Sequence, residues 1–413
     1  MQKLHRQLWV IIFAVSLVGI VKGQIQWQYR NPMPTARQGM AVAALGDSIY
    51  VIGGTQAGHN ALNVVEMFQA SSNTWISGLP PINFARTNSA AVAFQGKLYL
   101  FGGRNHNNII SAVEMYDPGS NQWVVVSQLP TPREGLSAVV VDSVIWVIGG
   151  ASAQVNYDIV EIYDPQNNSW STLPEHLLVP RVASVAAVIN NMIYVFGGFY
   201  FGPLDSYERY VPGQGWEMVG SMLYSCGSSG GDVYNGQIWI VGGENSSGIL
   251  DNVQYNDILH QGNWENGPPL QTPRKNLAVV QVENTLYAIG GKTTNHMGDA
   301  TNVVEALDLL TDITSPENTN LPRQLLVKGA YPNPFNGTTT IEIYQPHAGA
   351  IQIEVLNILG QRVRQLYHGI FQGWKHIRFD GLDDNGNHLP SGIYFVYVHT
   401  AAEQEMIKIN YIK

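Results

Sequence analysis

The 413-residue chain carries 22 Lys+Arg and 31 Asp+Glu, a net charge of -9, and only 13% charged residues where soluble domains average about 25%. A hydrophobic fraction of 45% excludes a disordered chain, and the acidic balance excludes the clustered basic footprint that nucleic acid requires. One cysteine, Cys226, excludes an intramolecular disulfide framework and a thiolate zinc cluster.

At the N-terminus Lys3, His5 and Arg6 precede an apolar run over residues 8–21, and small Gly23 suits a cleavage site. The run is too short to span a bilayer, which takes about 20 helical residues, so residues 1–23 are expected to be a secretory signal peptide. The mature protein is then exported, holds no transmembrane segment and draws its stability from packing rather than disulfides.

Internal periodicity sets the architecture. Glycine doublets fall at Gly53-Gly54, Gly102-Gly103, Gly149-Gly150, Gly197-Gly198, Gly242-Gly243 and Gly290-Gly291, spaced 49, 47, 48, 45 and 48 residues apart. Trp75, Trp123, Trp170, Trp216 and Trp264 follow five of the doublets, and the sixth has none. Trp27 lies 48 residues before Trp75, so residues 25–29 can supply the last strand of the last repeat. Each repeat reads as four short strands, in the third at 136–141, 144–148, 159–163 and 169–172. Four strands per repeat predict one propeller blade, and six blades predict a ring that the N-terminal strand closes. A glycine pair in a strand marks close approach of a neighbour, and each Trp fills space beside it.

With apolar residues before each doublet, then Glu114-Met115-Tyr116-Asp117-Pro118 or Glu161-Ile162-Tyr163-Asp164-Pro165, then Trp, the chain resembles the kelch repeat family over residues 24–313. That family includes adaptors, adhesive modules, sugar epimerases and copper oxidases, so the resemblance implies a fold and leaves the function open.

Residues 314–324 form a polar linker, and the doublets stop there. From 325 to 413, alternating runs at 339–344, 350–356, 362–367, 375–379, 393–399 and 406–412 predict about seven strands in a small Ig-like β-sandwich. Tyr331-Pro332-Asn333-Pro334-Phe335-Asn336, Asn357-Ile358-Leu359-Gly360-Gln361-Arg362-Val363 and Leu389-Pro390-Ser391-Gly392-Ile393-Tyr394-Phe395 look like the C-terminal sorting domain of type IX secretion substrates of Bacteroidota and related Gram-negative bacteria. The resemblance implies contact between residues 325–413 and the outer-membrane secretion machinery, then release or surface attachment. Asp383-Asp384-Asn385-Gly386 hints at a calcium loop, but Gly381 and Gly392 stand where carboxylates are needed, so a hairpin turn is expected.

Chemistry is concentrated in one register. Arg37, Arg86, Arg133, Arg181 and Arg274 each precede their doublet by 16 residues, and the fifth repeat has Cys226 there. Strand alternation puts these positions on the same face as the loops after the doublets, which carry His59, Arg104, His106, Phe199, Tyr200, Phe201, Asn245, Lys292 and His296. A ring of arginines with His106 and Tyr200 beside it could hold an acidic sugar or a carboxylate-bearing peptide. The other reading is structural: the third strands carry Glu66, Glu114, Glu161, Glu208 and Glu305, while the fifth repeat has Gln254, so the blade without the Arg also lacks the Glu. That covariance predicts an Arg–Glu pair reaching across each blade. Cys226 is expected to be a small buried residue filling the vacated site.

The expected function is an exported or cell-surface binding module for a glycan or protein ligand, a monomer without cofactor or metal. The alternative is a sugar epimerase or mutarotase like six-bladed kelch N-acetylneuraminate epimerases, with Glu134 as acid or base. Copper-radical chemistry is not expected, since the propeller holds no Tyr-His dipeptide.

Overall fold

The computed structural model describes residues 25–56, 60–106, 108–258, 262–296, 299–309, 325–331, 333–400 and 403–412. The expected signal peptide and linker lie outside these residues. The chain divides into two compact units, Met1–Ile313 and Thr314–Lys413.

In the first unit, alternation of small and branched apolar residues makes strands with one face against each neighbouring blade. Ser137–Val141, which opens blade three, buries every second residue, as a period-two strand between packed layers must. It pairs with Val144–Ile148, then Val160–Asp164, then Ser169–Thr172, all antiparallel and within a residue of the expected bounds. Six such four-stranded sheets are present among the described residues. Their first strands, Ala41–Leu45, Ala90–Phe94, Ser137–Val141, Val185–Ile189, Gly230–Tyr234 and Ala278–Val282, touch one another in a closed cycle around a central channel.

The hydrophobic cores lie between blades. Phe101 of blade two meets Trp170 of blade three edge-on, with ring centroids 6.1 Å apart, and Tyr163 packs between them. Burial of each such ring is worth about 2–3 kcal/mol. Blade six takes its outer strand from the N-terminus: Gln28 pairs with Ala306 and Tyr29 with Glu305. Trp27 beside it is fully buried against Val241, Val253, Leu270 and Leu286, and its Nε1–H donates to Pro268 O at 2.9 Å. This non-local pairing covers the edge that blade six would otherwise expose.

The second unit has five described strands rather than about seven: Leu326–Tyr331, Thr339–Leu356, Arg362–Phe379, Gly392–Thr400 and Gln404–Tyr411. The expected runs at 339–344 and 350–356 join into one strand, as do 362–367 and 375–379. The reason is that the intervening polar and glycine residues are absorbed as a register shift between Gln345 and Gly349 rather than forming a turn. One edge of Thr339–Leu356 pairs first with Leu326–Tyr331 and then with Gly392–Thr400, while Arg362–Phe379 follows the other edge.

The sequence words of this unit are its turns and anchors. Asn357 Oδ1 accepts the N–H groups of Leu359 and Gln361 at 2.9 and 3.0 Å. Asn333 Nδ2–H donates to Lys408 O, and its Oδ1 accepts from Asn410 N–H, pinning the final strand. Asp383 Oδ1 accepts from the N–H groups of Asn385 and Asn387, so this acidic word closes a tight turn.

Candidate functional site

The Arg register is fully buried. Arg37, Arg86, Arg133, Arg181 and Arg274 have no exposed surface, and each reaches across the second strand of its own blade to the third-strand carboxylate. Arg37 meets Glu66 at 2.8 Å, Arg86 meets Glu114 at 2.5 Å, Arg181 meets Glu208 at 2.6 Å and Arg274 meets Glu305 at 2.9 Å. Arg133 makes the same pair with Glu161. Other donors go to backbone carbonyls, as where Arg86 Nη1–H donates to Gly102 O and Ala112 O at 3.0 and 2.7 Å, while Arg37 Nε–H is buried without a partner. Burial depresses the Arg37 and Arg274 guanidinium groups to about 10, opposed by Glu66 and Glu305, which leaves both charged at neutral pH.

The carboxylates in turn hold the loop entering each first strand. Glu114 accepts from the N–H groups of Asn83 and Phe84, and Glu208 from those of Leu178 and Val179. In blade five the ion pair is replaced by a neutral contact, Gln254 Nε2 to Cys226 Sγ at 3.8 Å, and Gln254 still holds Tyr224 N–H and O.

The arginine backbone joins blades. The second glycine of each doublet donates its N–H to the carbonyl of the Arg of the next blade, Gly54 to Arg86 through Gly291 to Arg37, over 2.8–3.0 Å, with Cys226 O accepting from Gly198. Both glycines of each doublet have positive φ, and a Cβ on Gly53 would lie 2.5 Å from Arg86 O. Hence only glycine fits this junction.

Two residues after each Arg site a second circuit closes the channel. Gly39, Asn88, Gly135, Ala183, Ser228 and Asn276 all adopt φ between +52° and +62°. The N–H of each donates to the carbonyl of its counterpart in the preceding blade, over 2.7–3.1 Å, and the sixth bond returns from Gly39 to Asn276. These residue types tolerate the left-handed conformation, Gly and Asn best and Ala least. The sequence reading missed this ring. Its signal is a Gly, Asn, Gly, Ala, Ser, Asn column at a fixed distance before the doublets, with no single residue type to reveal it.

Above the ring is a cavity of about 430 Å3 at the channel mouth, to which all six blades contribute. Its polar walls come from Asn88, Ser89, Ser184, Ser228, Ser229 and Asn276, and its charged lining residues are Arg104 and Glu134. These two pair across the blade two–blade three seam at 2.8 Å, and Glu134 also accepts from Asn88 Nδ2–H. Across the mouth, Lys275 and Glu244 pair at 2.5 Å over the blade five–blade six seam.

The other residues singled out in the sequence lie around this mouth. His106 has φ of +53°, its Nδ1 is 2.8 Å from Asn105 Oδ1, and its carbonyl accepts from Arg104 Nε–H. The Tyr200 and Phe201 rings touch at a tilt of 49° with centroids 4.3 Å apart, and Phe201 is 97% exposed with φ of +58°. Phe199 and Lys292 pair through their backbones with Val182 and Lys275, and Asn245 lies in a hairpin with Gly248. His296 donates its N–H to Thr294 Oγ1. His59 lies outside the described residues. Among the described residues no three His, Cys, Asp or Glu side chains converge on a metal position.

The KLHDC2/KLHL20/DRC7 Kelch-repeats domain model matches residues 23–198, and the Kelch motif model matches residues 180–223 and 273–313. The Secretion system C-terminal sorting domain model matches residues 329–412. The chain is a kelch-repeat protein with a C-terminal secretion sorting domain. This kelch protein is 26% identical over 301 residues to Kelch repeat and BTB domain-containing protein 1 of camelpox virus (strain CMS), covering 70% of the chain and 44% of the viral protein. It is 29% identical over 214 residues to Kelch-like protein 25 of Xenopus tropicalis, covering 48% of the chain and 35% of that protein. The chain thus spans less than half the length of these curated relatives. The solved structure of YjhT superposes with a TM-score of 0.58 at 16% identity, covering 67% of this chain and 95% of that one, a likeness of fold. The sorting domain marks the kelch protein as a type IX secretion substrate and an exported protein.

Proposed function

We propose that this kelch protein is an extracellular binding module, displayed on or released from the outer surface of a Gram-negative bacterium, whose channel-mouth face takes a glycan or protein ligand. The observation that carries this reading is the cavity of about 430 Å3, within the range of about 300–1,000 Å3 usual for small-ligand sites, on a face built from loops of all six blades. The buried arginines serve the face by fixing its loops. His106, Tyr200 and Phe201 supply contacts at its rim. The opposite face is made of short turns that cap themselves, such as Asp47 with Ser71 and Asp117 with Gly119. Residues 325–413 carry the sorting signal to the secretion machinery. Probing glycan and cell-surface protein arrays with the purified chain from Gln24 to Lys413 tests the reading: hits weakened by Phe201→Ala or His106→Ala support it, and the absence of hits on both arrays overturns it.

A second reading, sugar mutarotase, is favoured by one observation, a carboxylate and a guanidinium side by side in the cavity. That pair is Glu134 with Arg104, since Arg133 is committed to Glu161. NMR exchange between N-acetylneuraminate anomers decides it: acceleration lost in Arg104→Ala favours the enzyme, and no acceleration favours the binder.

A further inference from the structure

An acidic ligand was one of two readings of the arginine register, and the geometry favours the other, a pair within each blade. We infer that the channel mouth is a site for a neutral, hydroxyl-rich ligand, the terminal sugar of an uncharged glycan. The inference rests on the binding-module reading and names its ligand class.

Three observations carry it. The five ring arginines are buried and neutralised within their blades, so none is free to take a ligand carboxylate. The charged lining residues of the cavity neutralise each other: Arg104 Nη1 is spent on Glu134 Oε1 and Arg104 Nε on His106 O. A ligand carboxylate entering here would have to displace Glu134 from Arg104 and then lie against it, a like-charge contact. What remains is a cluster of short neutral hydroxyl and amide groups from Asn88, Ser89, Ser184, Ser228 and Asn276.

Ser89 sharpens the point, because its Oγ is a buried atom without a hydrogen-bond partner while the residue lines the cavity. A buried unsatisfied hydroxyl is costly, and a χ1 rotation that turns Oγ into the cavity would let a ligand hydroxyl satisfy it. The partly exposed Val182 on the wall suits the C–H face of a sugar ring, as does the exposed Phe201 platform on the same side. Lys292, on the blade-six loop of this face, is a described cation outside these pairs, and it is not a lining residue of the cavity.

The test uses sugars that differ only at C6: methyl glucoside against methyl glucuronide, and methyl galactoside against methyl galacturonide. Binding to the chain from Gln24 to Lys413 is followed by saturation-transfer NMR and titration. The expected result is at least tenfold tighter binding of the neutral member of one pair, changing less than twofold between 50 and 500 mM NaCl because no net charge is exchanged. Ser89→Ala should weaken it about fivefold through the lost hydroxyl. Glu134→Gln should leave Arg104 unpaired and shift preference toward the acidic member about tenfold. If Ser89→Ala does not fold, Ser184→Ala replaces it.

Tighter binding of the acidic member by the unaltered chain overturns the inference. So does neutral binding that neither substitution changes, or saturation transfer to none of the four sugars. In that last case a protein hit on the array would leave the binding-module reading standing, whereas failure of both would sink the two together.

Discussion

The carbonyl of Arg86 accepts the N–H of Gly54 in the preceding blade at 2.8 Å, while its guanidinium meets Glu114 in its own blade at 2.5 Å. One residue thus ties a blade internally through its side chain and to its neighbour through its backbone. Repeated around the ring, the relation makes the arginines the fastening of the propeller.

Removing one member of a fully buried pair strands the other charge. Arg86→Cys or Glu114→Gln alone should cost about 3–5 kcal/mol of unfolding free energy. The double substitution copies blade five, where Cys226 and Gln254 already stand together, and should recover a substantial part of that loss. Urea denaturation of the four proteins checks the coupling, and additive losses would sink the pairing account.

Two glycines with the same backbone separate strain from contact. Gly46 has φ of +59° and open space around it, whereas a Cβ on Gly53, φ +63°, would meet the Arg86 carbonyl. Gly46→Ala should cost about 1–2 kcal/mol, the left-handed penalty alone. Gly53→Ala adds the clash and the weakened blade junction, and should be less stable by a further 2 kcal/mol or about that in thermal unfolding.

The inner strand of blade five carries one carboxylate where the other blades place Ala43, Val92, Val139, Ala187 and Val280. Asp232 accepts from Gln281 N–H and Val233 N–H, and burial pushes its carboxyl up to about 6. A raised folded value favours the protonated form in the fold. The stability it contributes is therefore full below the unfolded value near 3.8, falls as pH rises through 6, and is gone above it. The stability difference between the unaltered chain and Asp232→Ala, measured by denaturation from pH 3.5 to 7.5, should shrink by about 3 kcal/mol across that window. A flat difference would contradict the assignment.

Ring closure depends on a short N-terminal segment. Trp27→Ala should cost about 3–5 kcal/mol by emptying the pocket beneath blade six. Hydrogen exchange should then rise first in the strand Val304–Asp308, which pairs with Gln28–Tyr29.

Much of this was legible in the sequence, because repetition makes a structural constraint visible as a column. The doublets marked where a neighbouring backbone approaches, Trp27 marked the closing strand, and the joint loss of Arg and Glu in blade five marked a pair before any distance was known. Two directions for the arginine side chains were left open, toward the mouth or across the blade to the carboxylate. Placing Arg133 on the mouth face is correct for its Cα, but the glycines of the adjacent strand open a path inward, and a carboxylate waits at its end. The left-handed ring was hidden because a backbone requirement can be met by Gly, Asn, Ser or Ala. In the sorting domain, a bulge absorbed residues that read as a turn, so two pairs of expected strands became two long ones.

The central claim, that the mouth face is where a ligand binds, is tested most directly by hydrogen exchange of the chain with and without the strongest array hit. The account predicts protection in the loops carrying Asn88, Arg104, Glu134, Ser184, Tyr200, Ser228 and Asn276. Protection confined to the opposite turns around Asp47, Asp117 and Asp164, with the mouth loops unchanged, would contradict it.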